Sequence, residues 1–119
     1  MRLTGGSGVG TKTTLTTTTS AIQTIDTVPI PTDKAFKISI DVSAKKDDLT
    51  EKGGFVKEAI FANNSGAVSR QGAVGNIFDQ APAGWVVSFV ILSTDVLIRV
   101  ITGAAINVDW KCLRLTLEV

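Results

Sequence analysis

In Ala35-Phe36-Lys37-Ile38-Ser39-Ile40-Asp41-Val42-Ser43-Ala44, apolar and polar residues alternate from Phe36 to Ala44 without a break. Phe36, Ile38, Ile40, Val42 and Ala44 fall on one side, and Lys37, Ser39, Asp41 and Ser43 on the other. A period of two with one apolar face describes a strand lying on a core, with its other face in water. Reading outward, Lys45 to Gly54 is a charged loop ending in two glycines. Phe55 to Ala62 is a second strand, with Phe55, Lys57, Ala59 and Phe61 on one face. Asn63-Asn64-Ser65-Gly66 tolerates left-handed backbone, so it reads as a hairpin turn. The return strand spans Ala67 to about Gln71, followed by a loose connection in which Ile77-Phe78 tacks onto the core.

The ends of the chain extend the same pattern. Thr11 to Ser20 is β-branched and polar, which suits an exposed or edge strand. Residues 23–30 continue in extended style, and Pro29 and Pro31 remove two donors, so that strand ends there or lies at an edge. Three strands close the chain: one faces inward with Trp85, Val87, Phe89 and Ile91, the next with Val96, Ile98 and Val100. The last begins with Val108, Trp110 and Cys112 on one face and then shifts to Leu113, Leu115 and Leu117. A slip of one residue predicts a β-bulge near Cys112 to Arg114. No segment carries a helical stripe. The expectation is an all-β fold, a single antiparallel β-sandwich of seven or eight strands over residues 13–119. A flexible Gly-rich arm over residues 1–12 precedes it.

Composition narrows the chemistry. Thr, Val and Ile, the β-branched residues, number 15, 13 and 11 of 119, which favours strands. There is no His, which removes Ser-His and Cys-His nucleophile pairs and imidazole zinc sites. A single Cys excludes an internal disulfide. A net charge of +1 argues against a dedicated nucleic-acid binder. No apolar h-region follows Met1, so synthesis in a cytosol is expected. The apolar window Trp85 to Val108 holds Asp95 and Arg99 and a Ser93-Thr94 break, so it reads as strands and not as a membrane span.

Several patterns resemble sites and read more simply as structure. Gly5 to Thr14 departs from the phosphate-loop spacing, because Thr11 separates Gly10 from Lys12 and no apolar strand comes before it. Asp47, Asp48 and Glu51 are interleaved with Lys45, Lys46 and Lys52, which weakens a cation site and leaves a solvated loop. Trp85 and Trp110 each begin an alternating apolar face, so both read as core, and Cys112 as a small buried hydrophobe. No metal, cofactor or catalytic residue is assigned. One signal exceeds background. With Val87, Phe89 and Ile91 inward, the opposite face carries Val86, Val90 and Leu92, joined by Leu97 and Ile101 of the next strand. Apolar residues on a sandwich's outer face call for a cover. That cover is either the connection around residues 72–83 or a second subunit, and the small domain favours a subunit.

From about Thr16 onward the chain resembles a recurrent small module of tailed-bacteriophage virion proteins. The resemblance rests on Thr16-Thr17-Thr18-Thr19, Val28-Pro29-Ile30-Pro31, the strand Phe36 to Ala44, Gly84 to Phe89, Val96 to Ala105, and Val108-Asp109-Trp110-Lys111 through Glu118-Val119. It implies a sandwich found in tail fibres, baseplate appendages or head decorations, assembled as symmetric oligomers and without enzyme activity. Val86 and Val90, where such modules are polar, and the leucine-rich last strand depart from it. The expected function is a structural virion protein, a self-associating capsid decoration or head-fibre subunit made in the host cytoplasm. A trimer is favoured, with residues 1–12 reaching other virion proteins. The alternative is a tail-fibre or baseplate receptor-binding module for a host-surface glycan. Its contacting loops, at one end of the sandwich, would present Lys45, Lys46, Asp47 and Asp48 together with Asn63 and Asn64. Neither nucleic acid nor membrane is an expected partner.

Overall fold

A computed structural model describes residues 8–119. Eight strands follow one another: β1 (Gly8–Thr17), β2 (Gln23–Pro29), β3 (Ala35–Lys46), β4 (Lys52–Asn64), β5 (Ala67–Gln80), β6 (Val86–Leu92), β7 (Asp95–Ile101) and β8 (Val108–Glu118). They form a five-stranded sheet ordered β1-β8-β3-β4-β5 and a three-stranded sheet ordered β2-β7-β6. All pairings are antiparallel. The all-β sandwich is therefore the fold. The apolar window from Trp85 to Val108 is spent on β6, β7 and the start of β8.

The alternating stretch becomes β3, the central strand of the larger sheet. Its inward residues Ile38, Ile40, Val42 and Ala44 are buried, as are Val96, Ile98 and Val100 of β7 in the facing sheet. Burying each Ile or Val side chain among them contributes about 1.5–3 kcal/mol. Trp110 lies among other rings, 5.9 Å from Trp85 and 6.3 Å from Phe55 between centroids. Its indole N–H would be costly to bury alone, and it donates to Thr17 Oγ1 at 3.0 Å. Both tryptophans are core residues. Phe89 packs edge-on against Phe61, at 5.5 Å. Ile91, expected inward, is exposed at the far end of the edge strand β6.

The turns follow residue chemistry. Asn64 pairs with Ala67, so the β4–β5 loop is only Ser65-Gly66. Their φ values of 54° and 98° fit the primed turn that a two-residue hairpin prefers. Gly84 and Gly103 meet where the β5–β6 and β7–β8 connections cross. Gly84 has φ 88°, and a Cβ on it would lie 3.1 Å from the Thr102 carbonyl oxygen.

Three expectations are corrected. Residues 1–7 of the expected arm lie outside the described residues. From Gly8 onward the backbone pairs with β8, so residues 8–12 belong to the sheet and the expected boundary at residue 13 moves to Gly8. Glycine lacks a side chain to bury, but its N–H and C=O pair in a ladder like any other. Second, no bulge interrupts β8: its register with β1 and β3 is continuous through Cys112, Leu113 and Arg114. The inner face simply continues as Trp110, Cys112, Arg114 and Thr116, while Leu113, Leu115 and Leu117 point outward. The apparent slip arises because the inward Arg114 is polar. Third, the connection after Gln71 is not loose. β5 runs on to Gln80, with register shifts opposite Val56/Lys57 and Glu58/Ile60 that absorb the extra residues.

Candidate functional site

The outer face of the three-stranded sheet carries the apolar residues expected there. Val86 pairs with Ile101 and Val90 with Leu97, and the polar pair Ser88 and Arg99 lies between them. Val86 is 48% exposed and Leu92 57%, whereas Val90 and Ile101 are half-buried. Leu97, in the middle strand with Thr27 on one side and Val90 on the other, is 7% exposed. It therefore belongs to the monomer's own packing more than to an open patch. The stretch 72–83 does not cover this face, because most of it is β5, in the other sheet.

The expected receptor residues do not come together. Lys45, Lys46, Asp47 and Asp48 lie at the β3–β4 hairpin, at one end of the sandwich. Asn63 and Asn64 lie at the opposite end of β4, beside the β4–β5 turn. The thirteen residues of β4 separate the two groups by about 40 Å at strand rise. Asn63 is 2% exposed and is part of the scaffold. Its side chain donates to the Ile30 carbonyl at 2.8 Å and accepts from the Gly66 N–H at 2.8 Å. At the other end, Asp48 accepts from the Thr50 hydroxyl at 2.6 Å and the Thr50 N–H at 3.0 Å. These bonds hold its carboxyl below the usual value. Lys46 stands 3.7 Å away, and Asn107 donates to Asp47 at 3.4 Å.

A largely buried ion pair joins the sheets. Arg114 Nε donates to Asp26 Oδ2 at 2.6 Å, and its Nη1 donates to Thr116 Oγ1 at 2.7 Å. Cys112 is fully buried beside this pair. Burial first, and the nearby Asp26 charge second, push its thiol from 9.0 to about 12.

A surface that the sequence reading missed lies on the outer face of the five-stranded sheet, at its β3–β4 hairpin end. Phe78 pairs with Val56 and Asn76 with Lys57, which leaves Ile77 as an extra residue. Without that bulge Phe78 would share a face with the inward Asn76; with it, the ring turns outward. Phe78 is 44% exposed, and Ile77 63%, so neither tacks the strand onto the core as expected. The ring lies against Gly54, where a Cβ would come within 3.0 Å of it. A cleft of about 670 Å³ runs from Phe78 and Gln80 over Gly53-Gly54 to Thr50, Glu51 and Lys52. Lys52 and Gly53 also line a neighbouring groove of about 260 Å³ with Ser43, Lys45, Asp109 and Lys111. Asp109 accepts from the Thr16 hydroxyl at 2.8 Å, and Lys52 donates to the Leu49 carbonyl at 3.0 Å.

No protein-family model matches this sequence, and neither does any curated protein. The likeness to known proteins is one of fold. The tailspike protein of Acinetobacter baumannii phage AM24 superposes on 94% of the chain with a TM-score of 0.53 and 8% identity. Tailspike protein gp49 of Acinetobacter baumannii bacteriophage Fri1, a capsular polysaccharide depolymerase, superposes on 95% with a TM-score of 0.51 and 9% identity. The chain spans about a quarter of the first tailspike and a fifth of the second. Its sandwich is thus a fold that two phage tailspikes contain as one part of a longer chain.

Proposed function

We propose that this chain is a structural module of a bacteriophage tail appendage that assembles with copies of itself and faces a host-surface glycan. The observation that carries this reading is the superposition of nearly the whole sandwich on a segment of two tailspikes. It favours the receptor-binding alternative over a capsid decoration or head fibre. The half-exposed Val86, Val90, Leu92 and Ile101 support self-association, since an outer sheet face in a solitary sandwich is ordinarily polar. The module's role in this reading is non-catalytic. The depolymerase description belongs to a tailspike about five times the length of the matched segment. Five of the eleven carboxylates are ion-paired: Asp26 with Arg114, Asp48 with Lys46, Glu58 with Lys37, Asp79 with Lys57 and Glu118 with Lys34.

Electron microscopy of particles carrying a tagged copy of the chain tests the placement. Density at the tail or baseplate is the expected result. Density on the head surface returns the reading to a decoration protein.

A further inference from the structure

The two grooves that meet at Lys52 and Gly53 form one continuous surface across β8, β3, β4 and β5, about 14 Å wide at ordinary strand spacing. We infer that this surface binds a segment of an acidic, carboxylate-bearing polysaccharide. The inference rests on the tail-appendage reading for its biological setting and on the groove itself for its chemistry. Gly54 forms the floor: without a side chain it leaves the backbone low beside Phe78, and a Cβ there would lie 3.0 Å from the ring, whereas a Cβ on Gly53 would point to the other face, against Ala81 and Trp85. One wall is an aromatic ring with almost half its surface in water, the Phe78 that the Ile77 bulge turned outward. An exposed ring of this kind offers a flat apolar face to the C–H face of a pyranose. Gln80 stands beside it, and no protein hydrogen bond occupies its amide among the described residues.

The other side supplies charge. Lys45, Lys52 and Lys111 converge on the smaller groove, and neither Lys45 nor Lys111 has an ion-pair partner among the described residues. Among the described residues, Asp109 is the only acid lining the smaller groove and is turned toward Thr16, while Glu51 lines the larger cleft. A neutral glycan would use the ring and the amide but leave the ammonium groups idle. A sugar chain with regularly spaced carboxylates uses both walls, with one residue on Phe78 and a neighbouring carboxylate over the lysines.

The test uses the intact chain and three acidic polymers, polygalacturonate, hyaluronate and polysialic acid, with dextran as the neutral control. Binding is followed by calorimetry and by NMR shifts of residues 43–54, 77–82 and 109–111. Expected is binding of at least one acidic polymer, weakened by salt. A loss of at least tenfold is expected in both Phe78→Ala and the double variant Lys45→Glu/Lys111→Glu, with Phe78→Trp retaining affinity. Both variants are checked for unchanged thermal unfolding. No binding to any acidic polymer overturns the proposal, and so does binding that ignores Phe78→Ala, which is mere ion exchange. A fall in oligomer mass on Phe78→Ala also overturns it, because a second copy then occupies the surface. The tail-appendage reading fails separately, through the position of the chain on the particle.

Discussion

Arg114 of β8 and Asp26 of β2 meet between the two sheets, with Nε donating to Oδ2 at 2.6 Å and both side chains largely buried. Asp26 sits where the β2–β7 register shifts, and its second oxygen accepts from the Thr27 N–H at 2.8 Å. The pair thus ties an irregular strand of the small sheet to a regular strand of the large one.

Removing one partner strands a buried charge, so Arg114→Ala should cost about 3–5 kcal/mol. Urea unfolding measures it. A double replacement, Asp26→Leu with Arg114→Met, should recover most of the loss, since well-packed apolar substitutes often match a buried pair. A cost below about 1 kcal/mol for Arg114→Ala, as for an exposed pair, contradicts this account.

Val90→Glu and Leu97→Ala should separate assembly from folding. Val90 is half-buried on the outer face, so a charge there should lower the mass seen by light scattering and spare the unfolding midpoint. Leu97 is 7% exposed, so its truncation should cost about 2–5 kcal/mol in the monomer itself. Unfolding of the Val90→Glu monomer would place that residue in the core.

Cys112 gives a pH signature. Its thiol is raised from 9.0 to about 12, so the folded protein keeps the proton after the unfolded chain has lost it. This contribution is complete below pH 9 and is lost as pH rises toward 12, by at most about 1.4 kcal/mol per unit. Stability of the Cys112→Val variant, measured over the same range, should fall less steeply. Alkylation of native Cys112 at pH 8 should be far slower than in denaturant.

Asn63→Ala should behave as a scaffold lesion. It leaves the buried Ile30 carbonyl without its donor, at a cost of about 1–3 kcal/mol in unfolding free energy. Glycan binding at the opposite end of the sandwich should be unchanged below the melting transition. A loss of binding with full stability would instead make Asn63 a contact residue.

The sequence by itself determined the class of fold and most of its strands. In β3 the alternation of Ile38, Ile40 and Val42 with Ser39 and Asp41 leaves one conformation that buries every apolar residue on one side. The hairpin turn was legible as Asn63 to Gly66, which the structure narrows to Ser65-Gly66, and the inward tryptophans were legible for the same local reasons. The tertiary structure alone decided where polarity and pattern disagree. Arg114 faces inward because Asp26, 88 residues away in the other sheet, neutralises it there. Phe78 faces outward because at Ile77 β5 carries one residue that β4 does not pair, and register belongs to both strands together. The separation of Asp48 from Asn64, by contrast, was legible in the sequence, because the strand read over Phe55 to Ala62 lies between the two loops and puts them at its opposite ends. Alternation along a strand divides residues between two faces. Which face is interior, and which loops become neighbours, depends on partners distant in the chain.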